Sequence, residues 1–356
     1  MPSPVFISGV RKNASLDELE RIIERTFLES TDQLSWLKPG DLVLLKPAIN
    51  SPDPYPSTTH PLSISVIAEI LRQRGARVVI GDQSGVEHVV HGPNGIMKGS
   101  TKTCFEHAHP AHPDFVSFEE GGWDQGFDHF TSERTTSWKQ GFSVTNWIQK
   151  ADHIINLPRV STHAQAGVTL GFKNWVGILR EDSRLEFHAN GPFNSFITNA
   201  AKDSGIAWQD DGMHAFIEKI VEISLAVKDK LRLTLFTGTQ AQTTIGPDHQ
   251  VLPFLSSYIV TPETGLVFAS ADPVAAETFA IAYLTELYES QTPFLQKLLQ
   301  KMLVLANGQI KELGIDRTSD HPFIKHAVAL GLGNADIAPI YTDVPEEVRK
   351  AIEKRL

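Results

Sequence analysis

The sequence contains a single cysteine, Cys104. One thiol excludes an internal disulfide and any iron–sulfur cluster held by cysteines of this chain alone. Long apolar runs are also missing. No stretch approaches the roughly 18–20 residues that cross a bilayer as a helix. Positive charge is in deficit, with 32 Lys and Arg against 42 Asp and Glu and a formal net charge of −10. Broad attraction to nucleic acid or an anionic membrane is therefore disfavoured, and any cation that matters must act locally. The first residues, MPSPVFISGVRKN, lack the basic, apolar, small-residue order of a secretory signal, so a cytoplasmic location is expected. No GxGxxG follows a strand, and Walker-A, GxSxG and HExxH patterns are absent. Standard dinucleotide, nucleoside-triphosphate, serine-hydrolase and zincin readings thus have no motif behind them.

What is present is a repeated alternation. DLVLLKPAIN, RVVIGDQSG, HIINLP, LRLTLFTGTQ and GLVFAS are short apolar or β-branched runs, each emptying into polar residues. Helix-like stretches separate them, among them LSISVIAEILRQRGA, whose helix ends at Gly75, and a mostly helical Phe279–Leu313. Continuous apolar strands alternating with helices predict an α/β fold with mostly parallel or mixed sheets flanked by helices. Ligands bind such sheets outside the carboxyl ends of their strands. The expected arrangement is one unit over 1–356, with lobes at 1–150 and 151–356 and a crevice at the strand ends. Between residues 85 and 146 the pattern dissolves into a His- and Gly-rich insertion, which reads as a lid or binding loop.

The segment INLPRVSTHAQAGVTLGFKNWVGI carries the strongest chemical signal. Arg159 and Lys173 are placed to clamp an anionic group, with Thr162 and the directional amide of Asn174 beside them. His163 is the expected general acid/base, because an imidazole titrates near neutrality. Lys46 and Asn50 follow another strand. The STTHP stretch with Thr58, Thr59 and His60 resembles a helix N-terminus, where threonine caps and anions gather. In GDQSG, Asp82 is expected to orient His163 or bind a metal, with Ser84 contacting substrate. Asp272 completes the substrate shell. His107, His109 and His112 in EHAHPAH have spacings that admit Fe, Zn or Ni. The alternative for each set is bland: strand-end charges in solvent, Asx turns, a core histidine and surface imidazoles.

LLKPAIN, THPLSISVIAEILRQRGARVVIGDQSG, ADHIINLPRVSTH, GFKNWVGI, GLVFASADPVAAE and HAVALGLGNADI together resemble domain-of-unknown-function family 362. Their order and spacing, more than any one motif, carry the likeness, which runs from about Gly40 to Ile340. The resemblance implies roles for Lys46, Thr59, Pro61, Gly81, Asp82, His163, Lys173, Asn174, Gly177, Ser270, Asp272 and Pro273. Many members carry an added ferredoxin-like module, and its cysteines do not exist here. The usual Lys-Pro-Asn reads Lys46-Pro47-Ala48, which either moves the Asn role to Asn50 or abolishes it. Thr237 and Thr239 stand where many members place an aspartate.

The combined expectation is an enzyme acting on a small anionic metabolite by acid/base chemistry of redox or lyase type. His163, Lys173 and Asp82 are its catalytic set, and a divalent metal is the cofactor the histidines admit. No nucleic-acid or membrane partner is expected, and the oligomeric state is not legible. The competing reading is a non-catalytic metal- or metallocofactor-binding protein, or a pathway scaffold.

Overall fold

The computed structural model describes residues 1–356 apart from 111, 189–198, 200, 209–214, 247, 253–254 and 308–316. Its main sheet has eight strands: β1 (Ser3–Arg11), β2 (Leu42–Pro47), β3 (Arg77–Asp82), β4 (Phe115–Ser117), β5 (His153–Leu157), β8 (Leu231–Gly238), β11 (Thr264–Ser270) and β12 (Ile337–Thr342). They lie in the order β12-β1-β11-β8-β5-β2-β3-β4. Strand β11 pairs antiparallel with both β1 and β8, and every other pairing is parallel. Seven strands therefore point one way and β11 the other. The mixed, mostly parallel α/β sheet read from the apolar runs is the sheet observed.

Side chains alternate across a strand, and here the alternation divides two cores. Val43, Leu45, Val78, Ile80, Ile155, Leu157, Leu233 and Leu235 face a layer built on helices α1 (Leu16–Ser30), α2 (Pro61–Gln73) and α3 (Thr101–Ala108). Leu44, Ile154, Phe236, Leu266 and Phe268 face the opposite layer, which holds α5 (Pro273–Gln291), α7 (Pro322–Ala329) and Trp175. Both faces are buried, which is why the strands read as continuous apolar runs.

The sheet crosses residue 150, since Lys46 of β2 lies in register with Asn156 of β5. A second sheet of four short strands sits beyond the end of β5. It comprises β6 (Ser161–His163), β7 (Gly167–Thr169), β9 (Ala241–Gln242) and β10 (Ile259–Val260), in the order β7-β6-β9-β10. The 85–146 insertion contributes α3, edge strand β4 and two hairpins, Val90–Gly92 with Gly95–Lys98 and Phe127–Phe130 with Phe142–Thr145. The helical text after Phe279 divides into α5 and α6 (Phe294–Ala306), and its last residues, 308–313, lie outside the described ones. Among the described residues no helix is long and apolar enough to cross a membrane.

Candidate functional site

Parallel neighbours bring the carboxyl ends of β2, β3 and β5 side by side. At β2, Lys46 is fully buried, and its Nζ lies 2.7 Å from Asp82 Oδ1 at the end of β3. Lys46 also donates to the carbonyl of Pro47 (2.6 Å) and to Asn174 Oδ1 (3.2 Å). Asp82 accepts the amides of Ile49 (2.6 Å) and Gln83 (2.8 Å). Burial drives Lys46 down and Asp82 up, and their mutual attraction opposes both shifts. Asn174 donates to Asn156 Oδ1 (2.8 Å) and to the Lys46 carbonyl (3.0 Å), tying the 171–178 turn to β5 and β2. A Cβ on Gly177 would fall 2.1 Å from Asp82 Oδ1 and 2.7 Å from Lys46 Nζ, so only glycine fits there.

This platform floors a cavity of about 150 Å³. Asn50, Asp82, Arg159, His163, Lys173 and Asn174 line it, joined by Gln83, Glu87, Gln165, Arg184, His188 and Asp248. Seen from sequence, the second group was missed. Arg184 and His188 stand i,i+4 on one short helix, α4 (Glu181–His188), and that spacing was the available signal. Glu87 lies two residues beyond GDQSG. Asp248 offers no local motif. It is positioned by Asn50 Nδ2 (2.7 Å) and His88 Nε2 (3.1 Å).

Hydrogen bonding fixes the state of both cavity imidazoles. His163 Nδ1 accepts the amides of Gln165 (3.0 Å) and Ala166 (3.2 Å), so in the neutral ring the proton sits on Nε2. That Nε2 has no hydrogen-bond partner among the described residues. Burial, then the charges of Lys173, His188 and Arg159, hold His163 well below the usual histidine range. His188 has the reverse tautomer: its Nδ1 donates to the Arg184 carbonyl (3.1 Å), leaving Nε2 to accept from Lys173 Nζ (3.2 Å). Burial also pushes Lys173 down to about 7, with Glu87 opposing and Arg159 and Arg184 reinforcing the shift. Arg159 is buried and donates to the Ser57 carbonyl. Arg184 donates to the carbonyls of Leu179 and Gln83 at 3.0 Å each.

Several expected site residues lie elsewhere. Asp272 follows β11, the strand of opposite direction, so it sits at the opposite end of the sheet, beside the start of β1, where Ser3 Oγ donates to it (2.7 Å). There its Oδ1 caps α5 through the amides of Val274 (2.8 Å) and Ala275 (3.0 Å). His60, not a threonine, caps α2, accepting the Leu62 amide at 3.2 Å. Thr59 instead bridges the Ala48 amide (2.7 Å) and the Leu157 carbonyl. Ser84 donates to the Ile49 carbonyl (2.6 Å), and Thr162 is buried in β6; neither lines the cavity. Asp82 has its oxygens engaged by Lys46 and two amides and makes no hydrogen bond to His163.

The three loop histidines do not converge. His107 is exposed on α3, and His109 stacks on Phe105 with its Nε2 2.7 Å from the Thr59 carbonyl. His112 Nδ1 accepts the Asp114 amide at 3.3 Å. No group of three His, Cys, Asp or Glu among the described residues is arranged to hold an ion.

Fold and site define an α/β protein with a cavity lined by charged side chains at the carboxyl ends of a mostly parallel sheet. The chain belongs to the family described as a domain of unknown function (DUF362), which matches residues 43–282. It is also similar to thylakoid-associated protein sll1697 of Synechocystis sp., with 26% identity over 275 residues, 76% of this chain and 71% of that protein.

Proposed function

We propose that this chain is an enzyme that binds a small carboxylate in the strand-end cavity and moves a proton through Lys173. One observation carries the reading. Three lysines are buried among the described residues, and two of them contact a carboxylate: Lys46 with Asp82 at 2.7 Å and Lys219 with Glu186 at 2.6 Å. Lys173 has a neutral imidazole in that place. A buried amine with no carboxylate at hydrogen-bond distance, where burial and two guanidinium groups outweigh the pull of Glu87, has its basicity lowered to the range a general base needs at neutral pH.

In this reading the His163 ring is a donor. Its Nδ1 is occupied by two amides, so its Nε2–H faces a substrate oxygen as a neutral electrophile. Arg159 and Arg184 supply positive field from buried positions. Proton removal beside a carboxylate is the step these groups perform themselves, which favours the lyase-type branch of the expected chemistry. A cavity of about 150 Å³ resembles in size one that accepts benzene, which suits a small carboxylate.

The test is proton exchange. A panel of small mono- and dicarboxylates is incubated with the protein in D₂O, and loss of each Cα–H signal is followed by NMR. At least one compound is expected to exchange. Its rate should climb as Lys173 deprotonates and level off above about pH 7. Lys173→Met should lower that rate by about 10²–10⁴-fold with the melting temperature nearly unchanged. Exchange unaffected by Lys173→Met would overturn the assignment.

A further inference from the structure

We propose that Lys173 is also a covalent nucleophile, forming an imine with the carbonyl carbon of a small 2-oxo acid. The inference deepens the proton-transfer reading and rests on the same cavity. A lysine attacks a carbonyl only as the free amine, and enzymes produce that form by desolvation and by neighbouring cations. Lys173 has both, since it is buried and lines a cavity with Arg159 and Arg184. The other two buried lysines have carboxylates at hydrogen-bond distance, and Lys173 has none there. The partner of Lys173 is suited to the task. His188 Nδ1 donates to the Arg184 carbonyl, so Nε2 presents a lone pair to Lys173 Nζ across 3.2 Å. A 2-oxo acid supplies a carboxylate for Arg159 and Arg184 and an adjacent carbonyl for the amine, in a cavity that Asp82, Glu87 and Asp248 also line.

The step balances without an oxidant or reductant. Lys173 Nζ attacks the C2 carbonyl carbon, forming a C–N bond while the π pair moves to oxygen. One N–H proton passes to His188 Nε2 and from there to that oxygen, giving a carbinolamine. A second proton, from solvent, converts the hydroxyl to water. The C–O bond then breaks, and the nitrogen lone pair closes a C=N bond that keeps one hydrogen. The products are an iminium on Lys173 and one water.

Reductive trapping tests this on the full chain. The protein is incubated with glyoxylate, pyruvate or 2-oxobutyrate, then sodium cyanoborohydride, and read by intact mass and peptide mapping. The expected result is one adduct per chain with at least one of these acids, located on Lys173. It should be saturable in oxo acid and absent from a Lys173→Arg variant with unchanged circular dichroism. Labelling spread over surface lysines equally in both proteins, or no labelling, would overturn the proposal. Comparison with Cα–H exchange separates the two readings. Exchange that depends on Lys173 without an adduct removes the imine and leaves the base, whereas absence of both removes both.

Discussion

At the residue scale, the same side chain type does opposite work in two neighbouring positions. Lys46 and Lys173 both line the end of the sheet, yet Lys46 is locked to Asp82 and Lys173 is held by an imidazole. Sequence pattern placed Asp82 in the catalytic set and Asn174 in the substrate shell, and the family resemblance implied a role for Gly177. Their contacts show a supporting role: the ion pair, its amide partners and the glycine that lets it pack form the cavity floor. Breaking a buried ion pair on one side leaves an uncompensated charge. Asp82→Asn is accordingly expected to lower unfolding free energy by about 3–5 kcal/mol. A Lys46→Met, Asp82→Asn double variant should recover more than half of that loss. Urea melts of the two singles and the double check this. Simple additivity would show that the two groups do not stabilise each other.

At the element scale, two helices share one starting device. His60-Pro61 opens α2 and His321-Pro322 opens α7, and in each the histidine Nδ1 accepts the amide two residues on, at 3.2 and 3.3 Å. Burial holds both rings down to about 4, with His109 adding to the shift at His60. The unfolded chain, whose histidines titrate near 6.5, therefore binds more protons than the folded one between those values. Stability should be complete above about pH 6.5 and fall as pH drops towards about 4. Each ring contributes on the order of 1–3 kcal/mol over that window. His321→Asn keeps a cap acceptor without a titrating group. It should flatten part of the slope in denaturant melts between pH 6.5 and 4, and an unchanged slope would place the acid sensitivity elsewhere. Sequence made these elements legible to different degrees. Strands buried on both faces leave continuous apolar text, so β2, β3, β5, β8 and β11 were readable. Strand direction leaves none, which is why Asp272 was placed at the cavity when antiparallel β11 carries it to the far end of the sheet. The edge strand and hairpins of 85–146 are three or four residues each. They are fixed by pairing rather than by periodicity.

For the whole molecule, the question is whether the chain is one folding unit or two. Strands from both sides of residue 150 share the sheet, with β1 between β12 and β11 and β5 paired to β2. The α1–α3 core likewise joins Val43 and Leu45 to Ile155, Leu157, Leu233 and Val267. A cut at 150 would leave β2 without its β5 partner and Lys46 and Asp82 without Asn174. It would also remove Arg159, His163 and Lys173 from the face that Asn50 and Glu87 complete. Unpaired strand edges and half a core give aggregation-prone pieces rather than domains. The intact chain is therefore expected to lose secondary and tertiary signals together in denaturant. Fragments 1–150 and 151–356 should be unfolded or aggregated apart and should regain native circular dichroism only when refolded together. Two resolved transitions, with either fragment giving cooperative melting alone, would instead show lobes that merely share a sheet. Because the cavity draws on both sides of the cut, ligand binding should report the same outcome. A carboxylate that stabilises the intact chain should leave both separate fragments unaffected.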